Sequence, residues 1–427
     1  MTVSNSRRLI LHMGLHKTAS SSLQSTLQGA EDEFSQAGMH ILRVQTPKGL
    51  RQVNHSTAMQ YAFSSTYETL SWGPQRGFTA HDLHTHYSKL IAAQLEGSHD
   101  LLISGEEIAG LTQKELTKLR SVLEGARFTI EPHLYVRSPA SLIASLTQER
   151  LKAGLPLTLS VPDFSSRIER VRSVFPDVRV HSFEQACRHP SGPVGHFLEI
   201  SSLSKLASPA IKRRNESLSA PTARLLARMN GALRIGHVLP NGAQRSVHDT
   251  KILWKLPGPA FTLNANEYDK LAHAIAAETD ALVFQLSKCT HASEEVASVI
   301  RKAKHTTPSA KAGKVAENVD PELSIENWGK GLATIFHKLE PITAVLARAS
   351  IPAEIEDDGD IRNQLDTILS KPQFSDALET LAPLLRDRAL ECETKNRTEA
   401  ITLMRTAKLG RPNGGTINDA LKRWNAV

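Results

Sequence analysis

The stretch Leu9-Ile10-Leu11-His12-Met13-Gly14-Leu15-His16-Lys17-Thr18-Ala19-Ser20-Ser21-Ser22-Leu23-Gln24 constrains the fold more than any other part of the chain. An apolar run stops at a glycine, a lysine follows, and a cluster of hydroxyls then opens a new segment. This order reads as strand, anion-binding loop and helix. Gly14 permits a tight turn, and backbone N–H groups at the start of the following helix point at an anion. Lys17 supplies positive charge, while Thr18, Ser20, Ser21 and Ser22 offer hydroxyls that cap the helix or donate to phosphate oxygens. Leu23 and Leu27, four apart, begin an apolar stripe that docks the helix on a sheet. The loop is not a Walker A sequence, because Lys17 lies three residues after Gly14 and no second glycine precedes it. Taken alone, the pattern fits an ordinary capped helix equally well.

A second anchor lies in Ile130-Glu131-Pro132-His133-Leu134-Tyr135-Val136-Arg137-Ser138-Pro139, continued by Ala140-Ser141-Leu142-Ile143-Ala144-Ser145. A strand here ends in a charged turn, which puts Arg137 at the carboxyl edge of a parallel sheet, the edge on which open α/β sheets bind ligands. Pro139 opens a helix in its first turn, where a missing N–H does no harm. Ser145 follows Arg137 by eight residues, about two helical turns. One guanidinium and one hydroxyl can therefore share a phosphate. An isolated Arg-Ser-Pro is equally the surface arginine of a strand end.

The ordered pair of loops resembles the nucleotide site of the bacterial-type sulfotransferases that use 3′-phosphoadenosine 5′-phosphosulfate (PAPS). The resemblance implies a P-loop-like three-layer α/β/α domain with a central, mostly parallel sheet, and a need for PAPS as co-substrate but for no metal. It implies that Lys17, Thr18, Ser20 and Ser21 hold the 5′-phosphosulfate, in a loop completed by Gly14, His16 and Ala19, and that Arg137 and Ser145 bind the 3′-phosphate. Arg213 and Arg214, in a later basic segment, would add a contact to the nucleotide phosphates, although the family's usual Arg-Lys-Gly is absent. Ala19 stands where the family commonly has glycine. A helical φ suits alanine there, and a positive φ strains it.

Sulfuryl transfer needs a clamp on the leaving phosphate, in-line placement of the acceptor hydroxyl, and a base for its proton. Lys17 is the expected clamp. Glu106 is the preferred base, since Asp100-Leu101-Leu102-Ile103-Ser104-Gly105-Glu106-Glu107 reads as a strand that ends in acids, and related bacterial sulfotransferases often carry Ser-x-Glu there. The same acids also suit a helix start. His55 is the second choice, an imidazole in a loop beyond a second strand. His81, His84 and His86 cluster locally, but no cysteine or organised carboxylate accompanies them at zinc spacing.

The 427-residue chain is 40% apolar and 22% charged, so most of it should fold, and its net charge of +7 suits a polyanionic donor. No RNA-binding motif, zinc finger or zipper points to nucleic acid. Three distant cysteines, Cys187, Cys289 and Cys392, form no metal or redox pattern. With no signal-type apolar start and no apolar run of membrane-spanning length, a soluble, cytoplasmic enzyme is expected. Residues 7–290 are expected to form the α/β domain, 302–321 a Lys-, Ala- and Thr-rich linker, and 322–427 a helical region of unknown role, with apolar residues at spacings of three and four. That region would serve self-association, a protein partner or the acceptor site. The aromatics Tyr61, Phe63, Tyr67, Trp72 and Phe78 hint at an acceptor pocket, and helix packing explains them as well. The segment from Gly231 to Asn266, rich in glycine and proline, is expected to be loop.

The expected acceptor is a hydroxyl of a carbohydrate or glycolipid, or a small molecule. Two alternatives stay open. A nucleotide or sugar kinase on the same fold lacks its Walker A loop and an Asp-terminated apolar strand for magnesium. A non-catalytic nucleotide-binding protein would keep the pocket and use the C-terminal helices as its working surface.

Overall fold

Leu9, Ile10 and Leu11 are completely buried, as a strand covered on both faces requires. In the computed structural model, residues 6–212, 217–235, 237–239, 245, 247–292, 294–304, 325–351 and 357–426 are described. They fall into two compact units, one of Met1–Ile143, Val161–Glu216 and Asp269–Thr306, the other of Ala144–Ser160, Ser217–Tyr268 and Thr307–Val427.

The first unit begins with β1 (Arg7–His12), α1 (Ser20–Gly29), α2 (Glu31–Gln36) and β2 (Met39–Ile41), then a hairpin of β3 (Val44–Gln45) and β4 (Arg51–Gln52). Helices α3 (Ser56–Phe63) and α4 (Ala80–Leu95) lead to β5 (Asp100–Ser104), α5 (Gln113–Gly125) and β6 (Phe128–Val136). After β6 come α6 (Pro139–Lys152), whose later turns belong to the second unit, α7 (Ser165–Val174), β7 (Arg179–Ser182), α8 (Phe183–Ala186) and α9 (Gly192–Ile200). A last strand, β8 (His291–Ala292), lies between helices Ala272–Ser287 and Glu294–Lys304.

Six strands form one sheet in the order β2-β5-β1-β6-β7-β8, and every neighbouring pair is parallel. The mostly parallel α/β sheet expected from the sequence is therefore present. Register aligns the carboxyl ends: His12 is level with Ser104 on one side and His133 on the other, and Val136 is level with Ser182. The loops after β1, β5, β6 and β7 consequently leave along one edge. On one face, Ile10, Leu102 and Tyr135 of the sheet bury Leu23 and Leu27 of α1 together with Phe34 and Phe197. Leu23 and Leu27 thus make the stripe that their spacing indicated. Each such side chain contributes roughly 1.5–3 kcal/mol by leaving water.

In the segment between β3 and β5, Tyr61 is fully buried and its hydroxyl donates to Leu70 O while accepting from Gly73 N–H, so it is core. Phe63 is buried too, whereas Tyr67, Trp72 and Phe78 are not. His84 and His86 are each held by a separate carbonyl, Tyr61 O and Gln45 O, and no group of three metal-ligating side chains occurs among the described residues.

The second unit contains helix Ala220–Ala232, the C-terminal helices Ile325–Phe336, Pro341–Arg348, Gly359–Leu369, Ser375–Cys392 and Arg397–Gly410, and a final Gly415–Arg423. Its make-up differs from a division at residues 290 and 322. Helix Ala220–Ala232 belongs with the C-terminal helices because Trp328, fully buried, donates from Nε1 to Thr222 Oγ1 at 2.9 Å, and Arg228 donates to Ile351 O. The stretch expected as loop holds a helix, Val247–Leu253. Of the expected linker, 302–304 end a helix and the rest lies outside the described residues. Among the described residues no helix is long and apolar enough to cross a membrane.

Candidate functional site

The chain leaves β1 while still tied to the sheet: Met13 N–H donates to His133 O at 3.0 Å and Leu15 N–H to Tyr135 O at 2.9 Å. Gly14 has φ +84°, and a Cβ there would lie 2.8 Å from Glu106 Cβ, so the turn needs glycine both for its conformation and for its space. Lys17 (φ 64°) and Ala19 (φ 66°) are both left-handed. A left-handed residue next to a right-handed one turns successive backbone N–H groups to one concave side, the form of an anion-binding nest.

Ala19 therefore adopts the strained alternative and not the helical one. The left-handed form costs about 1 kcal/mol in alanine, part of which glycine would lose again as chain entropy. Ala19→Gly is expected to leave stability unchanged or raise it by about 0.5 kcal/mol, and Ala19→Val to lower it by more than about 1 kcal/mol. Urea unfolding of the two variants checks this.

Ala19 is also the N-cap of α1 and provides no side-chain hydrogen bond. Ser22 N–H donates to Ala19 O at 3.0 Å, while the first amides of a helix have no i−4 partner and the dipole adds partial positive charge there. Ser20 sits in that first turn, only 3% exposed, and its Oγ has no hydrogen-bond partner among the described residues. A buried hydroxyl left unpaired costs about 1–3 kcal/mol, which an incoming acceptor oxygen would recover. Ser21 is half-buried beside it. Thr18 differs from expectation: its hydroxyl donates to Leu15 O at 2.6 Å and so holds the loop together.

Arg137 follows β6 directly. Its Nη1 donates to Lys17 O at 3.0 Å and its Nε to Ser141 Oγ at 2.9 Å, and the guanidinium lies over the Phe183 ring. The two sequence anchors thus meet through a hydrogen bond. Burial lowers the pKa of Arg137 from its usual value, against the pull of Glu184. Glu184 in turn accepts from Ser138 N–H at 2.9 Å and from the Ser141 hydroxyl at 3.1 Å, and caps the start of α6. Ser141 and Glu184 were missed by sequence reasoning. Ser141 was accessible to it, four residues after Arg137 and so one turn along the same helix. Ser145 lies one turn further, in the part of α6 that belongs to the second unit. Arg213 and Arg214 fall outside the described residues.

Glu106 and Glu107 leave the end of β5 beside this loop. His16 stands between them, with Nε2 2.9 Å from Glu107 Oε1 and Nδ1 3.7 Å from Glu106 Oε1. Burial opposes charge on the ring, but the two carboxylates outweigh it and raise its pKa to about 9. The hydrogen bond from His16 lowers the pKa of Glu107 in return.

His55 does not fit the role of base. It is 2% exposed, and its Nδ1 accepts the N–H of Ser104 at 2.9 Å while its own N–H donates to Ser104 O at 3.1 Å. Burial, followed by the charge of Arg51, depresses its pKa to about 3. A ring whose acceptor nitrogen is already engaged in the core locks the start of α3 to β5 and has no lone pair there for a substrate proton. His12, buried next to it, places Nδ1 2.9 Å from Ser104 Oγ.

No family model matches the chain, and no curated protein matches it in sequence. Among solved structures, a sulfotransferase from Alicyclobacillus acidocaldarius matches over 65% of this chain and 94% of its own, at 11% identity and a TM-score of 0.33.

Proposed function

We propose that this protein is a sulfotransferase that moves a sulfuryl group from PAPS to a hydroxyl of a carbohydrate or glycolipid acceptor by in-line displacement. The observation that carries the reading is the junction of the two anchors. Arg137 is bonded to the carbonyl of Lys17, and an uncapped helix start with a buried, unpartnered Ser20 hydroxyl lies within the same loop. Such a place suits one phosphate on the first-turn amides and Ser20, and another on Arg137.

In the reaction the acceptor oxygen forms a bond to sulfur as the bond from sulfur to the phosphate oxygen breaks. Charge grows on that phosphate oxygen, where Lys17 and the amides of α1 offset it. The acceptor proton passes to Glu106, which follows β5 and whose Oε1 faces His16 at 3.7 Å, without the core hydrogen bond that occupies the nitrogen of His55. The carbohydrate or glycolipid class of acceptor comes from the resemblance in the loops. The site's residues speak for the donor.

Calorimetric titration with 3′-phosphoadenosine 5′-phosphate (PAP), AMP and ATP tests the reading. PAP should bind far more tightly than AMP, and Arg137→Ala should weaken PAP roughly 10- to 100-fold, the worth of a charge-assisted hydrogen bond. Equal binding of PAP and AMP, or preference for ATP, would sink the proposal.

A further inference from the structure

Two acids border a loop that is to hold a polyanion. Glu106 presses so closely on Gly14 that there is no room for a Cβ between them. Glu107 follows it in sequence. Uncompensated, two carboxylates at the mouth would oppose a phosphate by Coulomb repulsion.

His16 answers both. Each of its ring nitrogens faces a carboxylate oxygen, Glu107 at 2.9 Å and Glu106 at 3.7 Å. An imidazole presents N–H at both positions only when protonated. The charged groups around it come from three elements. Glu106 and Glu107 follow β5, the charge of Arg167 of α7 acts on Glu107, and Lys17, whose carbonyl Arg137 holds, is the next residue in the loop. The positive charge on His16 therefore follows from its partners, consistent with its raised pKa.

We propose that His16 is the counter-charge of this site, a protonated imidazole that cancels the acid pair beside the loop, so that anion binding weakens when it loses its proton in alkaline solution. The inference rests on the loop being an anion site, as in the proposed function, and not on the identity of the nucleotide.

Titration calorimetry with PAP and with inorganic pyrophosphate between pH 7 and 9.5 tests it, on the wild type, His16→Gln and Glu107→Gln. The Cε1–H resonance of His16 is followed by NMR over the same range. Affinity should hold to pH 8 and then fall roughly five- to tenfold through the titration of His16, the effect of one unit charge at close range in a half-solvated site. His16→Gln should already be weaker by that factor at pH 7 and show no step. Glu107→Gln should move both the resonance and the step toward the ordinary histidine value of 6.5. A wild-type His16 titrating near 6.5, or the same profile in wild type and His16→Gln, overturns the inference. If pyrophosphate binds with the step and PAP does not bind, the nucleotide reading falls and the counter-charge stands. If neither anion binds, both fall.

Discussion

Between pH 7 and pH 5 the protein is expected to lose several kcal/mol of stability, far more than surface carboxylates would cause. The reason is a set of histidines buried in neutral form at the carboxyl edge of the sheet. Burial takes the pKa of His12 down to about 4 and those of His55 and His181 to about 3, and pushes His133 well below 6.5. Their rings are enclosed by the hydrogen bonds of His12 and His55 to Ser104, and by a 3.2 Å contact between His133 Nδ1 and His181 Nε2.

The sign follows from proton uptake. In the unfolded chain these groups take up protons below pH 6.5, whereas in the fold His12, His55 and His181 do so only near 3–4, and His133 well below 6.5. Their stabilisation is complete above pH 6.5 and lost as the pH falls through the window down to those folded values. At pH 5, His12 and His55 each forfeit about 2 kcal/mol, at about 1.4 kcal/mol per pH unit. His16 works in the opposite direction. Its raised pKa adds stability that is full below 6.5 and is lost as the pH rises through about 9. Maximum stability should therefore lie near neutrality. Urea midpoints at pH 5, 6, 7 and 8 measure this, with His55→Asn as a variant that keeps an acceptor toward Ser104 N–H but cannot titrate. Its acid limb should be shallower by about 2 kcal/mol at pH 5. Equal midpoints at pH 5 and 7 in the wild type would refute the account.

Gly14→Ala should be the most damaging single-methyl substitution in the loop. The left-handed conformation costs about 1–2 kcal/mol once a Cβ is present. The new methyl would also meet Glu106 at both Cβ and Cα, 2.8 and 2.9 Å away, and relieving such an overlap costs a further 1–3 kcal/mol or so. A total loss of about 2–5 kcal/mol is expected in denaturant unfolding. Because the relief must displace Glu106, PAP affinity and the His16 titration should shift as well. A variant of wild-type stability would mean that Glu106 can yield without cost.

Part of this site can be read from the chain alone. An apolar run ending in glycine, lysine and hydroxyls specifies strand, turn and helix start by local rules, and Leu23 and Leu27 specify which face of α1 meets the sheet. The arrival of Arg137 at the same edge as Lys17 follows from two parallel strands that each end in a polar turn. The C-terminal helices follow from apolar spacing in the same way.

Other features depend on which strands become neighbours and in what register, and spacing along the chain carries no such information. That β1 lies between β5 and β6 is what brings Glu106 against Gly14 and places His16 between two acids. The same order turns His55 from a possible base into a core lock on Ser104. Whether the Ser20 hydroxyl is paired depends on which acceptors the fold brings near it, and the left-handed form of Ala19 on how the loop must close over the sheet edge. Element types and the chemistry at each strand end are legible along the chain, because neighbours a few residues away set them. Protonation, strain and pairing are not, because they are set by groups distant in the chain that packing has made adjacent.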